Sequence, residues 1–151
     1  EKARRYDLAE RDYRRAVELA RSSAVKLRAR RALAGALLFW GKYQDARLVL
    51  EATVKAAPAD VASWHDLGVV RAELQDLEGA EAAFQRAIEL APTDPRSRIA
   101  LAAMLVNQGR FAPAEEQYRL LLELELPARI RKAIHRALQL LAEEASGRRE
   151  H

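Results

Sequence analysis

Residues 64–92 read WHDLGVVRAELQDLEGAEAAFQRAIELAP, and several positions of this stretch recur at a fixed distance before and after it. The positions that repeat every 34 residues are Leu33, Leu67 and Leu101; Ala46, Ala80 and Ala114; and Leu50, Phe84 and Tyr118. A period of this length indicates a repeat protein in which one supersecondary unit is stacked several times.

Each unit is predicted to hold two amphipathic helices, because its apolar residues recur at intervals of three and four. In the best-formed unit, helix A runs over 61–74 and helix B over 79–90. Small residues at Gly68 and Ala80 are expected to let the two helices approach, while Trp64 and Phe84 fill the core around them. With only six Gly and five Pro in 151 residues, helix is favoured throughout the chain.

The pattern W-x2-L-G-x11-A-x3-F-x2-A-x4-P, read from Trp64 to Pro92, resembles the tetratricopeptide repeat (TPR) family. The resemblance implies an all-α fold, a right-handed superhelical solenoid of antiparallel helix pairs, with one TPR domain over 1–151. The predicted parts are a half repeat resembling helix B over 1–26, full repeats over 27–60, 61–94 and 95–127, a capping helix over 128–145 and a frayed tail over 146–151.

Repeat boundaries are marked by prolines and turn residues. Pro58 and Pro92 each follow a helix B, and Asp60 and Asp94 are placed to cap the next helix A. The turns inside the first and third repeats contain Gly41 and Gly109. The middle repeat has Gln75 at that place, which leaves room for a different turn.

Both ends of the chain depart from the full repeat. The first segment repeats the spacing of a helix B but has no helix A before it, which leaves apolar surface to be covered. Its connection to the next helix, around Ser22 and Ser23, is either longer or continues the helix. The positions concerned are Tyr6, Ala9, Tyr13, Ala16, Val17 and Leu19. The last helix carries one apolar face, as a solenoid cap requires. That face consists of Ile130, Ala133, Ile134, Ala137, Leu138 and Leu141.

Composition argues against an enzyme and against a cofactor or metal site. The chain has no cysteine, and its three histidines have no spacing typical of zinc ligands. No glycine-rich phosphate loop or nucleophile elbow occurs. No apolar run suggests direct membrane insertion. We expect a cytoplasmic protein, although a periplasmic or anchored location through further segments also fits. The chain starts at Glu1, which suggests a piece of a longer protein, and its excess of Arg over Lys suggests a bacterium.

The TPR resemblance implies that the non-core positions of each helix A line a concave groove that binds a peptide or partner protein. Gly35 either opens a pocket in this groove or only permits close helix packing. Of the adjacent Phe39 and Trp40, at least one is expected to be incompletely buried. The predicted groove residues are Arg28, Arg31, Gly35, Phe39, His65, Val69, Arg96, Ile99, Ala103 and Asn107.

One branch of the family binds the C-terminal carboxylate of heat-shock chaperones through Lys, Asn and Arg side chains on successive A helices. The corresponding residues here are Arg31, Gly35, Asp66, Arg96 and Ala100. Because both amides and the last cation are missing, and Asp66 would repel a carboxylate, this activity is not expected.

Charge is distributed unevenly. Basic residues exceed acidic ones by eleven to five in residues 1–31 and by six to three in 128–151, whereas acidic residues prevail by fourteen to nine in 32–127.

The leading hypothesis is a non-catalytic scaffold that binds a peptide or protein segment with acidic and apolar residues. A second is self-association into a homo-oligomer through the half repeat. A third, nucleic-acid binding through the basic ends, is disfavoured by the acidic repeats. Such binding should fall steeply with salt, and its complete loss at physiological salt would exclude this hypothesis.

Overall fold

The computed structural model describes residues 2–147, with side chains for residues 6–146, and confirms the all-α prediction. Every regular element within that range is an α-helix. The helices are α1 (Lys2–Leu19), α2 (Ser23–Phe39), α3 (Tyr43–Ala56), α4 (Val61–Glu73), α5 (Leu77–Leu90), α6 (Pro95–Asn107), α7 (Phe111–Leu122) and α8 (Ala128–Gly147). They divide into two compact units, α1–α5 within Glu1–Leu90 and α6–α8 within Ala91–His151. A single TPR domain over 1–151 stays a prediction.

The first unit consists of α1 followed by two helical hairpins, α2–α3 and α4–α5, which pack against each other through α3 and α4. Its core is drawn from the repeated apolar positions of all four hairpin helices. The buried residues of this core are Leu33, Ala34, Leu37, Ala46, Leu50, Val54, Leu67, Val70 and Ala83. The 34-residue spacing therefore marks the positions that hold the hairpins together.

Close approach between α4 and α5 occurs at Gly68, as predicted. The ring of Phe84 is buried against the Gly68 backbone. Trp64 is half-buried against the core, and its indole Nε1 donates a hydrogen bond of 2.9 Å to the carbonyl of Pro58. This hydrogen bond satisfies the only polar atom of the indole and ties α4 to the loop that precedes it.

The three turns between paired helices have the same backbone conformation, so the different turn allowed for at Gln75 is not observed. Gly41, Gln75 and Gly109 have φ angles of 70°, 63° and 71°. In each turn, the backbone N–H of the next residue donates a hydrogen bond to the carbonyl of the residue five positions earlier. Between the N–H of Asp76 and the carbonyl of Arg71 the distance is 2.9 Å. These hydrogen bonds satisfy the free carbonyls at the helix end, so the turn forms even where the residue is not glycine.

Side-chain caps begin the A helices. Asp60 accepts a hydrogen bond from the backbone N–H of Ser63 at the start of α4, and Asp94 accepts one from Arg96 at the start of α6, each at 3.0 Å. Ser22 caps α2 by accepting from Val25 at 3.3 Å. For the connection between α1 and α2, the sequence allowed either a longer loop or a continuation of the first helix, and neither is observed. Instead, α2 begins one turn earlier than the repeat predicts. It has 17 residues, whereas α4 and α6 have 13 each.

Helix α1 packs on α2 and is held at its N-terminal half. Tyr6 stacks on Trp40 with ring centroids 5.2 Å apart. Nζ of Lys42 lies 2.7 Å from a carboxylate oxygen of Glu10 and 3.3 Å from one of Asp7. The hydrogen bond from Lys42, followed by that from Arg14, holds the pKa of Glu10 below its ordinary value. The hydrogen bond to Glu10 raises the pKa of Lys42.

Three of the six α1 positions that share the helix B spacing are not covered by the rest of the described chain. Tyr13, Ala16 and Leu19 are exposed, whereas Tyr6, Ala9 and Val17 are half-buried. The equivalent positions of α5, such as Phe84 and Ala87, are buried. The spacing of α1 is that of a helix B, but in the described chain no helix A precedes it to cover the remaining side.

In the second unit, α6 and α7 form a hairpin and α8 packs on α7. Ile134 and Leu141 of α8 are buried as predicted, whereas Ala133 is exposed. The guanidinium of Arg131 donates hydrogen bonds to the carbonyls of Leu122 and Leu124, at 3.2 and 3.1 Å, and so satisfies the end of α7.

Helix α8 continues through residues 146 and 147, the first two residues of the predicted tail, and residues 148–151 lie outside the described chain. None of the helices in the described part of the chain combines the length and the hydropathy that crossing a bilayer requires.

Candidate partner-binding surface

The ten predicted groove residues lie on the first helix of each hairpin and divide between the two units. In the first unit, α2 and α4 are in contact, and this brings six of the ten together. We call this surface the α2–α4 face, and its residues are Arg28, Arg31, Gly35, Phe39, His65 and Val69. The other four, Arg96, Ile99, Ala103 and Asn107, lie on α6 in the second unit.

Gly35 and Phe39 form the most open apolar part of the α2–α4 face. A β-carbon built at Gly35 would meet no atom within 4 Å, so close helix packing does not require a glycine there. Phe39, one helical turn further along α2, is 82% exposed. An aromatic ring held next to open space is a typical anchor for a partner side chain.

Phe39 and Trp40 differ in their exposure to solvent. The sequence did not indicate which of the two is exposed. Trp40 is half-buried, stacks on Tyr6 and packs against the core. Packing on the N-terminal helix is therefore the role of Trp40 rather than of Phe39. This leaves Phe39 as the aromatic residue of the pair that faces solvent.

The cations of the α2–α4 face differ in their neighbours. Nη1 of Arg31 lies 3.7 Å from Oδ1 of Asp60, whose other oxygen accepts the capping hydrogen bond from Ser63. Arg28 lies one turn before Arg31 and is exposed, and no described side chain forms an ion pair with it. An acidic ligand could therefore bind Arg28 without first replacing an ion pair within the chain.

On α4, His65 and Val69 are half-buried. The ring of His65 lies against Phe84, with centroids 5.8 Å apart. Val69 occupies the position one repeat after Gly35. At this equivalent position α4 therefore carries a side chain, whereas α2 has open space. His65 and Val69 therefore form a partly covered side of the surface, and Gly35 and Phe39 form its open side.

On α6, Arg96 forms charge-assisted hydrogen bonds with Asp94, the shortest at 2.6 Å between Nη2 and Oδ2. Ile99 is half-buried, and Ala103 and Asn107 are exposed. Arg31 and Arg96, the two cations that align with the chaperone-binding pattern, are thus each paired with an aspartate that caps a helix A.

Two cavities lie away from the predicted groove and were not anticipated. One, of about 330 Å³, lies between α1, α2 and α3 and is lined by Val17, Leu33 and Leu48 among others. A second, of about 320 Å³, lies beside it between α2 and α3, and Arg30 borders both. Leu48 is 59% exposed. The missing helix A before α1 was the signal for this open side.

The chain is similar to known proteins in both sequence and fold. Residues 32–95 and 71–136 match two family models described as tetratricopeptide repeat, which together span well over half of the chain. The PEX5-related protein of Homo sapiens is 36% identical over 62 residues, which are 41% of this chain and 10% of that protein. The chain therefore matches about a tenth of the length of this curated relative.

Two solved structures of bacterial proteins have a similar helical fold. The type III secretion chaperone SycD of Yersinia enterocolitica, in complex with a peptide of the translocator YopD, is 23% identical with a TM-score of 0.75, over 82% of this chain and 97% of that one. At this identity the likeness shows the fold alone. MamA 41-end from Desulfovibrio magneticus RS-1 is 28% identical with a TM-score of 0.71, over 82% of this chain and 68% of that one. From the repeat pattern, the hairpins and these matches together, the chain belongs to the tetratricopeptide repeat family.

Proposed function

We propose that this chain is a non-catalytic interaction scaffold that binds an extended peptide segment on the α2–α4 face. An apolar side chain of the ligand occupies the open space above Gly35 and contacts Phe39. An acidic residue of the ligand lies near Arg28. The observation that carries the proposal is the combination of a ring 82% exposed and an unfilled space one turn away on the same helix.

Membership of the TPR family supports a role as a protein-interaction scaffold. The SycD structure, which has a similar fold, contains a bound peptide, and this supports a peptide ligand here as well. Acidic and apolar character follows from the surface itself, because Arg28 is exposed and the neighbouring surface at Gly35 and Phe39 is apolar.

The test uses a random peptide library displayed on phage, selected against the whole chain, followed by binding titrations of selected synthetic peptides. We expect the selected peptides to combine acidic and bulky apolar residues. Phe39→Ala should weaken their binding by about tenfold or more, as truncation of an aromatic anchor does. Leu48→Ala is the matched control, because Leu48 is also exposed but lies on α3, and binding should stay within about twofold.

A second variant separates binding from folding. Gly35→Leu fills the open space without a clash and replaces the residue least favourable to helix interiors after proline, so the chain should be at least as stable while peptide binding is lost. If selected peptides bind Phe39→Ala and Gly35→Leu as tightly as they bind the wild type, the α2–α4 face is not the binding surface.

Arg28→Glu tests the acidic part of the ligand. Binding should weaken for acidic peptides and stay unchanged for versions in which Asp and Glu are replaced by Asn and Gln. Arg31 and Arg96 are less suitable for this purpose. Each is paired with a capping aspartate, so charge reversal there would disturb a helix start as well as a ligand.

A further inference from the structure

The outward side of α1 carries two exposed leucines. Leu8 is 54% exposed and Leu19 is 67% exposed. They are eleven residues apart, which is close to three helical turns, so both lie on one side of the helix. Tyr6 and Val17, which pack toward α2 and the core, lie on the other side. The two leucines therefore belong to a surface that the α1–α2 contact leaves uncovered.

Two charged residues lie between these leucines on the same side. Leu8, Asp12, Arg15 and Leu19 follow one another at intervals of four, three and four residues, the spacing of the contact positions in a coiled coil. We call these four residues the outer seam. Asp12 and Arg15 are exposed, and neither side chain forms an ion pair or hydrogen bond with any described residue. Asp7, Glu10 and Arg14, also on α1, do have partners within the chain.

The outer seam is complementary to itself when two copies meet in opposite directions. With a two-fold axis between residues 13 and 14, Leu8 of one copy faces Leu19 of the other, and Asp12 faces Arg15. Each contact occurs twice because of the symmetry. Flanking the seam, Arg11 faces Glu18 in the same arrangement. A parallel arrangement would instead place Asp12 against Asp12 and Arg15 against Arg15, which is repulsive.

We propose that the outer seam of α1 binds a second copy of this chain as an antiparallel two-helix contact. Charge complementarity selects both the partner and the direction. The contact is small, since α1 has 18 residues and extends about 27 Å at ~1.5 Å per residue. Specific, stable interfaces bury about 1,200–2,000 Å², and we expect a contact along a single helix of this length to lie at or below the lower end of that range. The dimer is therefore weak and forms as protein concentration rises.

This contact does not depend on the peptide-binding proposal. The α2–α4 face consists of α2 and α4 residues, whereas the outer seam lies on the side of α1 that is turned away from α2. A dimer formed through α1 leaves Phe39 and Gly35 uncovered. Two copies joined in this way would present two α2–α4 faces, and an array of peptide motifs would bind more tightly than a single motif.

Charge exchange tests the proposal. Sedimentation velocity of the whole chain, from about 5 μM to about 1 mM, should show a monomer that gives way to a dimer as concentration rises. Asp12→Arg places four cations in the seam and Arg15→Asp places four anions there, so each variant alone should remain monomeric. The double variant Asp12→Arg with Arg15→Asp exchanges the two charges and should dimerise like the wild type.

Mixing the two single variants provides the decisive sample. Every charged contact in the mixed pair is again between opposite charges, so an equimolar mixture should dimerise although neither component does. All variants should keep the wild-type circular dichroism spectrum and melting temperature, because the seam is exposed. A wild type that is monomeric at every concentration overturns the proposal, and so does a dimer that is indifferent to these exchanges.

Direction is tested separately. The chain has no cysteine, so Leu8→Cys and Leu19→Cys each introduce a single thiol. In an oxidised mixture of the two variants, the disulfide between positions 8 and 19 should predominate over those joining like positions. Predominance of links between like positions would overturn the antiparallel arrangement. As a control for the apolar contact, Leu8→Glu should abolish dimerisation and Leu48→Glu, at an exposed leucine of α3, should not.

Discussion

The ring of Phe84 occupies the space that a side chain at Gly68 would need. A β-carbon built at Gly68 would lie 2.5 Å from two atoms of this ring. Phe84 is buried, so the ring has no room to move away. In this repeat, therefore, the absence of a side chain at Gly68 is what allows the large Phe84 ring to pack between the two helices.

Gly68→Ala should therefore destabilise the protein although alanine favours helix. Overpacking costs about 1–3 kcal/mol, which outweighs the gain of at most about 1 kcal/mol in helix propensity. Gly35→Ala is the matched control, since its β-carbon meets no atom within 4 Å, and it should stabilise by about 0.5–1 kcal/mol. Urea denaturation measures both, and shifts in the same direction would contradict this explanation.

Gln75→Gly should stabilise the turn between α4 and α5. Gln75 has a φ of 63°, where a β-carbon is unfavourable, and glycine relieves about 0.5–1 kcal/mol after its greater freedom in the unfolded chain is counted. The reverse change, Gly41→Gln, should destabilise by a similar amount in the equivalent turn. Thermal denaturation of the two variants tests the pair, and an unchanged Gly41→Gln would show that the turns are not equivalent.

Trp40→Ala should destabilise the protein, whereas Phe39→Ala should leave its stability nearly unchanged. Removal of the Trp40 ring loses its stacking on Tyr6 and its core contacts, and should cost about 2–3 kcal/mol because the ring is half-buried. Phe39→Ala should change stability by no more than about 0.5 kcal/mol because its ring is exposed. Hydrogen exchange in α1 gives an independent measurement, since only Trp40→Ala should speed exchange there.

Attachment of α1 should weaken in acid. The pKa of Glu10 is lowered in the folded state by Lys42 and Arg14, so its stabilising contribution is complete above its ordinary pKa of 4.5. The contribution disappears as the pH falls through the lower folded value. The pKa of Lys42 is raised, so its contribution is complete below the ordinary value of 10.5 and disappears as the pH rises through the folded value.

Trp40 fluorescence in a Trp64→Phe background can follow this transition, since Trp40 stacks on Tyr6 of α1. Glu10→Gln should remove the part of the acid dependence that comes from this carboxylate. An acid transition that is identical in Glu10→Gln would show that other carboxylates control the attachment of α1.

The sequence predicted the fold well because the repeated positions are contact positions. Leu33, Leu50 and Leu67 are buried in one core, and residue type and spacing alone identify them. The spacing alone does not decide burial where burial depends on a neighbour outside the pattern. Tyr13 has the position that corresponds to the buried Phe84 but is exposed, since no helix precedes α1 in the described chain to cover it.

The candidate surface could be predicted only in part. The repeat pattern predicted that the non-core residues of each helix A face outward. It could not predict which of Phe39 and Trp40 is exposed, because this depends on where α1 packs. The Arg31–Asp60 ion pair joins residues 29 positions apart and left no sign in the local sequence. Likewise, Gln75 differs from glycine in type, yet the hydrogen bonds of the helix end impose the same turn.

Because Asp60 already neutralises Arg31, a ligand carboxylate that approaches Arg31 has to replace one ion pair with another. Such an exchange gains little free energy, since one charged contact is lost for each that forms. The same pairing also weakens the repulsion of a ligand cation at this place, because the carboxylate of Asp60 offsets part of the charge of Arg31. The ion pair therefore makes this part of the surface nearly indifferent to the charge of a ligand.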